Sequence, residues 1–94
     1  MAKRRLTAPR DQLIRKAPLA REIARILDER GLTQTEASYV VRDAPSQLSL
    51  MVNGKLAGFS AERLIRTLTR LGRDVEITVR PARRTPGRVS LTVR

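Results

Sequence analysis

The sequence contains neither cysteine nor histidine. Without cysteine there is no disulfide framework, no thiol nucleophile and no sulfur ligand set. Without histidine there is no imidazole acid or base and no nitrogen ligand for zinc or iron. No metal and no cofactor are therefore expected, and nothing implies an oxidising compartment. Tryptophan is absent too, and Tyr39 and Phe59 are the sole aromatic residues, so there is no platform on which unpaired bases could stack. No apolar run approaches the ~20 residues needed to cross a bilayer. The basic N-terminus has no apolar stretch behind it, as a secretory signal would require. A cytoplasmic protein with no membrane partner is expected.

Acidic residues are also scarce: nine Asp and Glu face twenty Lys and Arg, giving a formal net charge of +11. Residues 1–17 hold six positive charges against one negative, and residues 75–94 hold five against one. Between them, residues 18–31 balance at three each and residues 32–58 at two each, while residues 59–74 carry four against two. A neutral centre between basic flanks suits a polyanion held by its backbone while uncharged groups inspect it. Membrane surfaces and structured RNA attract the same charge, so charge alone does not select the partner. Ninety-four residues make one small domain whose core is marginal on its own, and oligomerisation is a common remedy at that size.

The most informative stretch is residues 32–55, LTQTEASYVVRDAPSQLSLMVNGK. Thr33 is followed three residues later by Glu36, the spacing of a capping box at a helix start. Val40 and Val41 close that helix, Arg42-Asp43-Ala44 interrupts it, and Pro45 suits the first turn of a new one. Leu48 and Met51 give the second helix a narrow apolar stripe. Its remaining positions are Ser46, Gln47, Ser49, Leu50 and Asn53. A merely solvated face would more usually carry Lys and Glu, whereas Ser, Gln and Asn are side chains that read base edges in the major groove.

This block resembles the helix-turn-helix of the Cro/cI-like, xenobiotic-response-element (XRE) regulators. Leu32-Thr33-Gln34, the apolar Val41, Leu48 and Met51, and Asn53-Gly54-Lys55 all fall in that family's register. The continuation Leu56-Ala57-Gly58-Phe59-Ser60, then Arg63-Leu64-Ile65 and residues 71–77, is similar to a subgroup that includes HigA-type antitoxins. The resemblance spans roughly residues 19–77. Two positions depart from the pattern. Arg42 stands where the family usually has Gly, at a backbone position that tends to need a positive φ. Ala44 stands where the family tends to place a Ser or Thr cap, and it offers no side-chain acceptor.

Along the rest of the chain, residues 1–17 read as a basic arm in which Lys3, Arg4 and Arg5 cluster. The arm is either a solvated tail or a segment that enters an adjacent minor groove. Residues 11–16 have room for a turn or two of helix. Residues 18–73 form the expected helix-turn-helix domain. Pro18 opens a helix in which Leu19, Ile23, Ile26 and Leu27 share one face, and Gly31 stops it. Ser60 caps a last helix, Phe59 staples onto Leu64, and Leu64, Ile65, Leu68 and Leu71 form its buried stripe. Arg63, Arg66, Arg70 and Arg73 recur on its outer side, either as a solvated face or as contacts to phosphate or an acidic partner.

In residues 74–94 the period changes from 3.6 to 2. Val75, Ile77 and Val79 alternate with polar residues, as do Val89, Leu91 and Val93, and the Pro-containing loop 81–87 separates the two runs. That pattern predicts a β-hairpin. An isolated hairpin is barely stable and leaves open edges, so pairing between two chains is expected, making a homodimer. The expected fold class is mainly α, a lambda-repressor-like helix-turn-helix domain with a C-terminal two-stranded dimerisation element.

The functional expectation is a sequence-specific regulator of transcription, more a repressor than an activator, that binds double-stranded DNA at an inverted repeat as a homodimer. Binding to DNA would make it nucleoid-associated. Ser46 and Gln47 are the leading base readers, Gln47 through a bidentate contact to adenine. Ser49 and Leu50 are further candidates, Leu50 against a thymine methyl. Gln34 and Thr33 at the start of the first motif helix are expected to touch phosphate, and the resemblance assigns Asn53 and Lys55 to phosphate as well. The alternative is an antitoxin that neutralises a toxin protein and autoregulates its operon, and a sequence-indifferent architectural binder is a third. An enzyme is not expected, because Asp28, Glu29, Glu36 and Asp43 have helix-surface or capping explanations.

Overall fold

Four apolar side chains on one face of the first helix, Leu19, Ile23, Ile26 and Leu27, set the core around which the chain closes. The computed structural model describes residues 14–93. Among the described residues are four helices, α1 Lys16–Arg30, α2 Gln34–Val41, α3 Pro45–Val52 and α4 Ala61–Arg70. Helix α1 packs against α3 and α4, and α2 packs chiefly against α3. Val41, Leu48, Met51, Phe59, Leu64 and Leu71 belong to the same buried cluster, each almost wholly removed from solvent.

The boundaries follow local chemistry. Helix α1 starts at Lys16, two residues before Pro18, which thus lies within the first turn. The missing proline N–H costs nothing there, since the first four N–H groups of a helix have no intrahelical acceptor. Gly31 ends α1 in the left-handed region at φ 66°, donating its N–H back to the helix. Thr33 and Glu36 form the reciprocal capping box of α2: Glu36 N–H donates to Thr33 Oγ1 at 3.0 Å, and Thr33 N–H donates to Glu36 Oε1 at 2.9 Å. Ser60 caps α4 by accepting the Arg63 N–H at 3.1 Å. Phe59 and Leu64 are both buried at that entry, as a hydrophobic staple requires.

The expected C-terminal hairpin is not formed. No strand is present among the described residues, and residues 73–93 carry no helix or ladder. The dimerisation element built on Val75, Ile77, Val79, Val89, Leu91 and Val93 is therefore corrected: the fold is all helical where it is described. Val75 alone of these packs against the core, while Ile77 is 73% and Val79 93% exposed. Two physical reasons account for this. Of the six alternating residues only Val75 reaches the helical core, so neither run has one apolar face covered along its length, and a two-stranded ribbon without such cover is marginal. Arg80, Arg83, Arg84 and Arg88 would also crowd the turn end of the hairpin with like charge. Lys3, Arg4 and Arg5 of the basic arm, and residues 11–13, lie outside the described residues.

Candidate nucleic-acid interface

The turn between α2 and α3 is built from three unlike devices. Arg42 adopts the left-handed conformation at φ 58° and ψ 46°, the backbone a glycine would adopt with less strain. Arg70 on α4 donates from Nη1 to the Val41 carbonyl oxygen at 2.9 Å, satisfying an acceptor at the end of α2. Asp43 accepts the Ala44 N–H on Oδ1 at 3.0 Å. Ala44 itself caps α3 with no side-chain bond, and Pro45 follows it in the first turn. The turn is thus held by α4 from outside rather than by a capping hydroxyl.

Helix α3 separates its faces cleanly. Leu48 and Met51 are fully buried, while Ser46 is exposed, Leu50 is 38% exposed, and Gln47 and Ser49 are half-buried. No charged residue lies on the helix. Asn53 ends α3 and donates from Nδ2 to the Ser49 carbonyl oxygen at 2.8 Å. This bond fixes its side chain beside the helix terminus. Lys55 follows, its N–H bonded to the Leu50 carbonyl oxygen at 2.9 Å and its side chain exposed.

Gln47 and Leu50 border a shallow concavity that also takes in Gly54, Lys55, Phe59 and, from the start of α1, Lys16. The structure therefore brings two lysines, Lys16 and Lys55, to the concavity that the uncharged face of α3 borders. Gln34 is exposed as the first residue of α2. Thr33 is exposed as well, with its hydroxyl oxygen already engaged by the Glu36 N–H. Glu36 in turn is held below the ordinary glutamate range, first by the hydrogen bond from the Thr33 backbone.

Two arginines of the α4 stripe are tied to the turn. Arg63 Nη2 reaches both Asp43 carboxylate oxygens, at 2.8 and 3.1 Å, and Gln47 Oε1 at 3.3 Å. Its guanidinium carbon stands 4.8 Å from the centre of the Phe59 ring. Arg70 makes the Val41 contact. Arg66 behaves as a surface group, 3.7 Å from Glu62. Arg73, beyond the end of α4, is half-buried: its Nη2 lies 3.5 Å from Glu29 and its Nε is buried with no partner among the described residues. Sequence spacing put all four on one outer side; partners in α2, the turn and α3 divide them. Linear spacing likewise gives no sign of Lys16 at this concavity, since nothing in it relates the start of α1 to the end of α3. No helix among the described residues is long and apolar enough to cross a membrane.

Residues 6–80 match the pattern of a family described as a helix-turn-helix domain. A solved structure described as an XRE family transcriptional regulator is 34% identical. It superposes with a TM-score of 0.75 over 88% of this chain and 93% of that one. No curated protein matches the sequence.

Proposed function

This chain belongs to the XRE-type helix-turn-helix transcriptional regulators, which bind DNA, and from that premise we propose that it represses transcription by occupying a specific operator. The observation that carries this reading is the division of α3, apolar and closed on one side, uncharged and open on the other, with Lys16 and Lys55 at the concavity it borders. In the major groove Ser46 and Gln47 face base edges, and Ser49 and Leu50 lie behind them. Lys55 and Lys16 hold phosphate, while Gln34 and Asn53 approach the backbone from the ends of α2 and α3. The basic residues Lys3, Arg4 and Arg5 add charge that draws the chain to any duplex.

Two copies would bind an inverted repeat, with their α3 helices one DNA turn, ~34 Å, apart. Support for self-association is the small size of the helical core and the exposed apolar side chains of Ile77 and Val79. Enrichment of a randomised duplex library tests sequence specificity, and its motif should be a two-fold repeat. Sedimentation of the free and DNA-bound protein measures the copy number. Gln47→Ala should weaken the enriched site by roughly 1–3 kcal/mol while leaving random duplex nearly unaffected; an equal loss on both would remove Gln47 from the base-reading set.

A further inference from the structure

We infer that Arg63, which itself need not reach DNA, fixes which base Gln47 accepts, by holding the glutamine amide with its oxygen turned inward and its NH2 turned to the groove. The inference rests on the base-reading role proposed for Gln47. An Arg Nη2 carries two hydrogens. Three acceptors lie within reach of that one nitrogen, the two oxygens of Asp43 at 2.8 and 3.1 Å and Gln47 Oε1 at 3.3 Å, so two hydrogens serve both side chains when the carboxylate shares one. The guanidinium is stacked on Phe59, and Asp43 is anchored at the turn through the Ala44 N–H. The donor that meets Gln47 is therefore restrained on three sides, by α4, by the turn and by the loop before α4. The Gln47 NH2 group has no partner among the described residues.

A free glutamine reads adenine with both ends of its amide, the oxygen accepting from N6 and the NH2 donating to N7. Gln47 has its oxygen drawn toward α4, so the end offered to DNA is a donor. Guanine presents two acceptors in the major groove, O6 and N7; adenine presents one acceptor beside a donor, thymine one acceptor, and cytosine only a donor. Guanine, with two acceptors and no competing donor, is accordingly the base that Gln47 prefers. Arg63 acts here as a positioning residue, and its removal frees the amide to turn over and take adenine.

The test is selection from a randomised duplex library with the full chain, scored at the one position whose preference Gln47→Ala abolishes. Wild type should select guanine there over adenine, by roughly tenfold or more. Arg63→Met, which keeps an aliphatic stem over Phe59, should lose that discrimination and accept adenine. Affinity for random duplex should stay within about twofold, a pattern that mere loosening of the fold would not produce. Gln47→Glu, an acceptor in place of a donor, should switch the position to cytosine, and it tests the assignment even if Arg63→Met fails to give a helical circular dichroism spectrum. Adenine selected by wild type, or a preference unchanged in Arg63→Met or in Gln47→Glu, would overturn the inference while leaving sequence-specific binding intact. A library with no enriched motif would instead overturn the base-reading role itself, and the inference with it.

Discussion

Arg70 on α4 donates to the backbone carbonyl of Val41 at 2.9 Å, across 29 positions of sequence, so the last helix holds the end of α2 where the chain turns toward α3. The bond satisfies a carbonyl that helix termination leaves without an intrahelical donor, and it couples the pose of α3 to α4. Arg70→Met should lower stability by about 1 kcal/mol and should broaden the amide signals of residues 41–44 in an NMR spectrum. A spectrum unchanged around the turn would show that the bond carries no positional role.

Arg42 occupies a left-handed backbone conformation that costs a side chain about 1 kcal/mol relative to glycine. Arg42→Gly should therefore raise the urea midpoint, by less than that full amount because glycine also loosens the unfolded chain. Arg42→Ala is the control, since it keeps the strain and removes only the charge. Equal midpoints for the Gly and Ala variants would show that no strain is stored at the turn.

The capping box of α2 makes stability depend on acid. The Glu36 carboxyl is lowered by the hydrogen bonds of Thr33, and that of Glu22 is lowered foremost by its hydrogen bond from Arg25. A carboxyl whose folded value is depressed stabilises the fold above its unfolded value, and the contribution is lost as pH falls through the folded one. Chemical denaturation should thus show stability level near neutrality and falling below about pH 4. The Glu36→Gln and Glu22→Gln variants should each have a shallower fall. Thr33→Ala, which removes the cap hydroxyl, should cost about 1 kcal/mol at neutral pH.

Lys16 and Lys55, 39 positions apart in the sequence, line the same concavity. If both neutralise phosphate, Lys16→Gln and Lys55→Gln should each reduce the slope of log affinity against log salt by about one, on any duplex. Deleting residues 1–9 should flatten the slope further, since that segment holds Lys3, Arg4 and Arg5. Filter binding across a range of potassium chloride measures all three. A slope unaltered by Lys16→Gln would place that side chain outside the DNA contact.

Residues 74–93 mark the limit of pattern reasoning. The alternation of Val75, Ile77 and Val79 describes a segment able to be a strand, but a strand exists only with a partner ladder and a surface to cover one face. Neither is recorded in alternation. The helical half behaves differently, because its stop and start signals act over three or four residues. Thr33 with Glu36, Pro45 in the first turn of α3, Gly31 after α1 and the stripe of α1 each satisfy a local backbone or packing demand wherever they occur.

The sequence by itself determined the helix-turn-helix and the uncharged outer face of α3, since both depend on residues that meet within one or two helical turns. Only tertiary structure decided that Arg63 holds Gln47, that Arg70 holds Val41, that Lys16 stands beside the end of α3, and that the last twenty or so residues stay out of any sheet. The first two outcomes turn on which long side chain lies within hydrogen-bonding distance of which acceptor once the core has closed, and the last two on which surfaces the packed helices bring together or leave uncovered. That is a property of packing between elements remote in sequence, and no local spacing encodes it.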